Sequence, residues 1–359
     1  MDVALALARR GLGQVAPNPA VGCIILRGGK VVGRGWTQPQ GRPHAETEAL
    51  RRAGEAARGS TAYVTLEPCN HHGRTPPCSE ALIAAGVARC VIAMEDPDSR
   101  VAGRGAGRLR DAGVSVTVGT RAAEAAEVNA GYLLNRRSGR PLVTLKLATS
   151  LDGKIATRSG ESQWITGGAA RARGHLFRAN HDAVMVGGGT AVSDNPRLTA
   201  RLPGLEGRGA PRIVLDGSLA LPLTHHLVAE AAQNPTWLVT RKDAARDRCE
   251  AYRNAGVEVI KVGVDAGKTL DLQAVFRELG RRGMTRVMVE GGGRLAAGLL
   301  RADLVDRLVW FHTGCVIGGD GIPAVAGFGL EKLAAAPRFT CLERVVLGDD
   351  SMEIYRRGP

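Results

Sequence analysis

At 359 residues the chain exceeds one ordinary hydrophobic core, which predicts two domains of about 150–200 residues each. An apolar fraction of 44% excludes a disordered chain, and 4% aromatic residues means cores built mainly from Ala, Val, Leu and Ile. The formal charge of +13 is spread over both halves and favours anionic partners, either phosphorylated small molecules or nucleic acid.

Residues 2–10 read as a short helix stopped by Gly11, not as a leader, and no apolar run approaches the ~20 residues that cross a bilayer. Two strands follow at 20–26 and 30–36, joined by a Gly28-Gly29 turn, and residues 44–57 carry helical spacing. A buried strand at 61–66 runs into a polar, proline-rich loop at 67–77, with a helix from Cys78 to Ala85. Strands at 88–94 and 114–118 precede a single helix at 122–135. Residues 136–141 have the composition of a linker, so domains 1–140 and 141–359 are expected. The second half offers strands at 142–148, 183–186, 212–216, 236–240, 257–262, 286–290 and 308–312, with helices between most of them, and a surface loop at 204–209. Strands alternating with helices predict α/β architecture throughout. Seven scattered cysteines argue against a disulfide framework and for a reducing, cytoplasmic setting. A soluble protein without a membrane partner is expected.

The strongest chemical signal is His44-Ala45-Glu46, then Pro68-Cys69, then Pro77-Cys78. One imidazole and two thiolates suit catalytic zinc, with a fourth position left for water. His44 and Cys78 each open a helix, so both can face a crevice at the strand ends. Glu46 follows His44 by two residues. It is placed to take a proton from an activated water and pass it to the substrate ring and the leaving ammonia. This is the pattern of zinc nucleobase deaminases. A structural zinc site, with His71 or His72 as fourth ligand, remains open on the residues alone.

Generic deaminases place the two cysteines two residues apart, whereas eight residues separate Cys69 from Cys78 here. The block Pro-Cys-Asn-His-His-Gly-Arg-Thr-Pro-Pro-Cys, with Pro17-Asn18-Pro19-Ala20-Val21-Gly22 upstream, resembles the bifunctional riboflavin biosynthesis deaminase/reductase family. The segments 146–154, 160–166, 194–199 and Glu290-Gly291-Gly292 are similar to that family's reductase half. The resemblance implies a cytidine deaminase-like three-layer α/β/α domain at 1–140. It also implies a dihydrofolate reductase-like α/β domain at 141–359, with Zn2+ and NADPH as cofactors and a homo-oligomeric assembly. The implied substrate is a diamino pyrimidine ribosyl phosphate, with Asn18 on its ring and His71, His72, Arg74 and Thr75 shaping the pocket.

In the second half the residues alone say less. The glycine-rich strand ends at 184–190 and 287–294 can cradle a phosphate, yet neither matches G-x-G-x-x-G. The resemblance implies that NADPH meets Ala148, Trp164, Thr190 and Asp194, together with Gly292, Gly293, Arg294, Leu295, Ala296, Ala297 and Gly298. It places the phosphoribosyl substrate on Ser162, Arg178, Leu198, Arg201 and Glu290, where Arg178 and Arg201 can fork onto a phosphate. Lys146 reads equally as an orienting amine or as a salt-bridge partner at the core edge. A nucleic-acid deaminase with an RNA-binding second half fits the charge. That half, however, lacks clustered aromatics and any familiar RNA-binding motif, so no nucleic acid partner is expected. A zinc-stabilised scaffold without catalysis is the third reading.

Overall fold

The computed structural model describes residues 1–71, 76–98, 102–205 and 208–358. It divides into two compact units, Met1–Gly139 and Arg140–Pro359. His72, Arg74, Thr75 and part of the 204–209 loop lie outside the described residues.

Unit 1 is built on a sheet of order β2-β1-β3-β4-β5 among the described residues: β1 Gly22–Arg27, β2 Lys30–Trp36, β3 Thr61–Val64, β4 Arg89–Ile92 and β5 Ser115–Val118. β1 runs antiparallel to β2 and β3, and the β3-β4-β5 side is parallel. Alternation along β1 makes three layers. Cys23 and Ile25 face the core that includes α2 (Ala45–Ala53), whereas Ile24 packs with Ala4 and Leu7 of α1 (Asp2–Arg9). α2 comes down onto the main chain of β2 at two glycines. A Cβ at Gly33 would stand 2.3 Å from the Ala49 carbonyl oxygen, and one at Gly35 would stand 2.2 Å from that of Ala45. α3 (Cys78–Ala84) and α4 (Arg104–Asp111) follow.

The helix expected at 122–135 is two helices, α5 (Ala122–Val128) and α6 (Ala130–Ser138), broken at Asn129. The Asn129 amide is used elsewhere: it accepts the Ala20 backbone N–H at 2.9 Å and donates to the Ala20 carbonyl at 3.1 Å. The expected linker is a correction too, because α6 continues to Ser138 and ends at Gly139 in the left-handed region. Arg140 belongs to unit 2, where its guanidinium forks onto Asp306 at 2.6 and 2.8 Å.

Unit 2 carries a sheet of order β11-β10-β9-β8-β12-β6-β13-β16-β15 among its described residues. Its members are β6 Leu142–Thr149, β8 Ala183–Gly187, β9 Arg212–Leu215, β10 Thr236–Arg241, β11 Glu258–Val262, β12 Arg286–Val289, β13 Arg307–His312, β15 Phe339–Leu347 and β16 Asp350–Arg357. A small pair, β7 Lys154–Ala156 with β14 Ile322–Pro323, stands apart. The sheet is parallel from β11 to β13 and ends in the antiparallel β15-β16 hairpin. Helices α7 (Gly168–Ala179), α8 (Gly188–Asp194), α9 (His226–Ala229), α10 (Arg246–Asn254), α11 (Leu272–Arg281) and α12 (Gly293–Arg301) cover it. The strands buried on both faces read as near-continuous apolar runs, as β8 and β12 do.

Candidate active sites

The end of β3 leads to Cys69, Cys78 opens α3, and His44 is the N-cap residue of α2. The three meet. His44 Nδ1 lies 3.3 Å from Cys78 Sγ and 3.6 Å from Cys69 Sγ, and all three ligand atoms fall within 4.8 Å of one another. The Cys78 backbone N–H donates to Cys69 Sγ at 3.4 Å. The Cys69 thiol is drawn down to about 4, first by the Cys78 thiol donating to its sulfur and then by His44. One nitrogen and two sulfurs, one of them held as a thiolate, are a donor set suited to zinc.

Glu46 lies in the first turn of α2 beside this cluster, and only 3% of it is exposed. Burial pushes its carboxyl up to about 7, with His44 opposing. The group is therefore poised to hold or release a proton near neutrality.

The cluster opens into a cleft that also takes in Asn18, Thr37, Arg42, His71 and Asp96. Asn18 is steered by Gly41: a Cβ there would stand 1.9 Å from Asn18 Nδ2, and the φ of +84° suits glycine. Nδ1 of His71 is buried and finds no partner among the described residues. Asp96 was missed by the sequence reading. Its Oδ1 accepts the Tyr132 hydroxyl at 3.1 Å and the Asp98 amide at 3.0 Å, and burial raises its carboxyl. Its one sequence signal was an Asp-Pro-Asp step just past the end of a parallel strand.

In unit 2 the neighbouring strands β8 and β12 bring both glycine turns together, and the Gly292 N–H donates to Thr190 Oγ1 at 3.1 Å. Glu290 and Arg178 form a fork-to-fork pair, Nε to Oε1 at 2.5 Å and Nη2 to Oε2 at 2.9 Å, while Arg178 Nη1 donates to the Thr199 carbonyl at 3.0 Å. The Arg178 fork expected for a phosphate is thus already engaged by Glu290. Burial pushes the Glu290 carboxyl up, but Arg178 and Lys146 outweigh it and hold it at about 2. Burial lowers Lys146, with Glu290 opposing. Arg201, exposed, donates to Thr199 Oγ1 at 3.3 Å and keeps guanidinium donors to offer.

Other expected residues are placed differently. Leu198 buries its side chain in the core, so any ligand contact it makes goes through backbone. Ala296 and Ala297 are likewise core residues on α12, whereas Gly292 and Leu295 are half-buried and Arg294 is exposed. Gly293 is buried against the segment around Pro323, and Gly298 is half-buried. Ala148 is half-buried on β6, opposite Phe311. Ser162, Trp164 (68% exposed) and Asp194 lie on segments outside the Lys146–Arg178–Glu290 cluster. No helix among the described residues is long and apolar enough to cross a membrane.

Comparisons with known proteins match both units. The cytidine and deoxycytidylate deaminase zinc-binding region matches residues 1–94, and the RibD C-terminal domain matches residues 141–352. The chain is 43% identical to the riboflavin biosynthesis protein RibD of Escherichia coli K12, over 98% of this chain and 96% of that protein. It is 37% identical to its namesake from Aquifex aeolicus, over 99% and 97%. Among solved structures, RibD of Acinetobacter baumannii superposes with a TM-score of 0.88 at 34% identity, covering 100% of this chain and 98% of that one. A diaminohydroxyphosphoribosylaminopyrimidine deaminase/5-amino-6-(5-phosphoribosylamino)uracil reductase from Thermotoga maritima gives 0.87 at 31% identity, covering 100% and 97%.

Proposed function

Since the chain belongs to the RibD family of riboflavin biosynthesis enzymes, we propose that unit 1 carries out the family's deamination and unit 2 its reduction. The chain is a zinc hydrolase and an NADPH-dependent oxidoreductase in one. It deaminates 2,5-diamino-6-(5-phosphoribosylamino)pyrimidin-4-one with release of ammonia, and the ribosyl group is then reduced to give 5-amino-6-(5-phosphoribitylamino)uracil.

The reading of unit 1 rests on one observation: His44 Nδ1 and the two cysteine sulfurs converge where Glu46 is buried. Zinc, when bound by these three ligands, supplies Lewis-acid activation of a water. Glu46 takes the proton of the attacking water and delivers it to the ring nitrogen and then to the departing amine. Asn18, set by Gly41, orients the pyrimidine, and His71 Nδ1, which has no partner among the described residues, adds a second polar contact.

In unit 2, NADPH supplies the hydride for the sugar C1′. Its contacts are assigned to Ala148, Trp164, Thr190, Asp194 and residues 292–298, whose backbone amides at the start of α12 suit a phosphate. Ser162, Leu198 through its backbone, and Arg201 hold the phosphoribosyl substrate. Arg178 and Glu290 contribute to that substrate site as a pair. The working setting is cytoplasmic and homo-oligomeric, without nucleic acid.

One cuvette tests the assignment. With the diamino pyrimidine phosphate and NADPH present, ammonia should appear before NADPH is consumed. Glu46→Ala should stop both, and adding the deaminated intermediate should restore NADPH consumption alone. NADPH consumption by Glu46→Ala on the diamino substrate would contradict the division of labour.

A further inference from the structure

The turn between β6 and β7 carries an exposed carboxylate saturated with donors. Asp152 accepts the Ser150 hydroxyl at 2.6 Å, the Gly318 amide at 2.7 Å and the Ile317 amide at 3.1 Å. These partners, Ser150 first, hold its carboxyl down at about 2. Water would satisfy an exposed aspartate equally well, so what the bonds determine is the position of the segment that donates them.

That segment, residues 315–326, is gripped along its length. The Leu151 N–H donates to the Cys315 carbonyl at 2.8 Å and the Ala324 N–H to that of Gly153 at 3.0 Å, while β14 pairs with β7. Its far end lies on the first residue of α12. The Ala326 N–H donates to the Gly293 carbonyl at 3.0 Å, and a Cβ on Gly293 would stand 2.5 Å from the Pro323 carbonyl oxygen. A chain of direct contacts therefore runs from the Asp152 carboxylate through the strap to the opening turn of α12.

We propose that Asp152 is a positioning residue for NADPH, acting through the 315–326 strap to hold the first turn of α12 in its binding geometry. The inference rests on the reading that the cofactor meets that turn. A strap fastened before the ligand arrives spares binding the cost of ordering it, so the effect falls on affinity and not on the hydride step.

The test compares full-length wild type, Asp152→Ala, Asp152→Asn and Gly292→Asp. Gly292→Asp is a control that places a carboxylate at the N-cap of α12, where it suits the helix but repels an anion. Readouts are the NADPH dissociation constant, KM and kcat for NADPH with the deaminated intermediate, ammonia release, and the melting temperature without NADPH.

Asp152→Ala should raise Kd and KM for NADPH about tenfold, the scale set by hydrogen bonds to an ionised group. The Asn variant, which keeps one acceptor oxygen, should show less. kcat at saturating NADPH, melting temperature and ammonia release should stay near wild type. If Gly292→Asp weakens NADPH but both Asp152 variants bind it normally, the positioning role is wrong and the cofactor reading stands. If Gly292→Asp also binds normally, the cofactor reading fails and takes the inference with it. If kcat, KM and melting temperature all deteriorate together, Asp152 is a structural residue only. Should Asp152→Ala not fold, the Asn variant carries the same comparison.

Discussion

His181, two residues past the end of α7, is 4% exposed and provides a quantitative test of how unit 2 holds its buried polar groups. Its Nδ1 lies 2.7 Å from the Phe177 carbonyl and its Nε2 2.8 Å from Thr144 Oγ1. A carbonyl can only accept, so Nδ1 carries the proton and Nε2 accepts from the threonine. Burial pushes the imidazole down to about 4. The unfolded chain takes up a proton below about 6.5, but the folded chain resists until about 4. The stabilisation is therefore complete above about 6.5 and is lost as pH falls from there towards 4. Linkage gives about 3 kcal/mol over the whole window and about 2 kcal/mol between pH 7 and pH 5. Urea unfolding at those two pH values checks this, in a Trp36→Phe background so that the tryptophans of unit 2 report. His181→Gln should lose about 2 kcal/mol less than wild type on acidification. Equal losses, or a His181 ring resonance titrating near 6.5, would refute the argument.

Other outcomes follow from single contacts. Glu46→Gln should keep its zinc by elemental analysis yet lose ammonia release by about 10²–10⁴-fold, the usual worth of a proton-transfer group; loss of the metal would make Glu46 a ligand. Gly35→Ala drives a Cβ to 2.2 Å from a backbone oxygen of α2, which no rotamer relieves. It should destabilise unit 1 by about 3 kcal/mol or more and cut ammonia release, leaving reduction of the supplied intermediate intact. Arg178→Gln leaves Glu290 buried without its fork and should cost about 3–5 kcal/mol in urea unfolding of unit 2, with Arg178→Lys recovering part of the loss.

The metal cluster was legible because its residues carry their chemistry in their side chains and stand at element boundaries. His44 and Cys78 each open a helix, and helix starts leave a trace in the sequence. Parallel strands such as β8 and β12 were equally readable as short apolar runs. Strand β15 left no comparable trace. Most of β15 is exposed, so its residues follow no two-residue period. The break at Asn129 was hidden because helical periodicity carries straight across it, while its cause is a bond to Ala20, 109 residues away. Residues 136–138 have a loop's composition, yet Tyr132 and Leu133 bury in the core and Arg136 stacks over the Tyr132 ring at 5.3 Å, so the helix continues. Asp96 could not stand out, since what sets it in the cleft is a tyrosine 36 positions later. Resemblance to a family points to positions without saying how they act. It cannot distinguish a side-chain contact from a backbone one, and Leu198 is the example.

The glycine seat beneath α2 has a mechanical consequence. Ordinary helix–sheet contacts pass through side chains, which absorb a shift of several tenths of an ångström by changing rotamer. At Gly33 and Gly35 one main chain rests directly on the other, so helix and strand move as a single piece. The imidazole and the carboxyl at the head of that helix are carried by this main-chain seat, so a shift of α2 over the sheet must move both together.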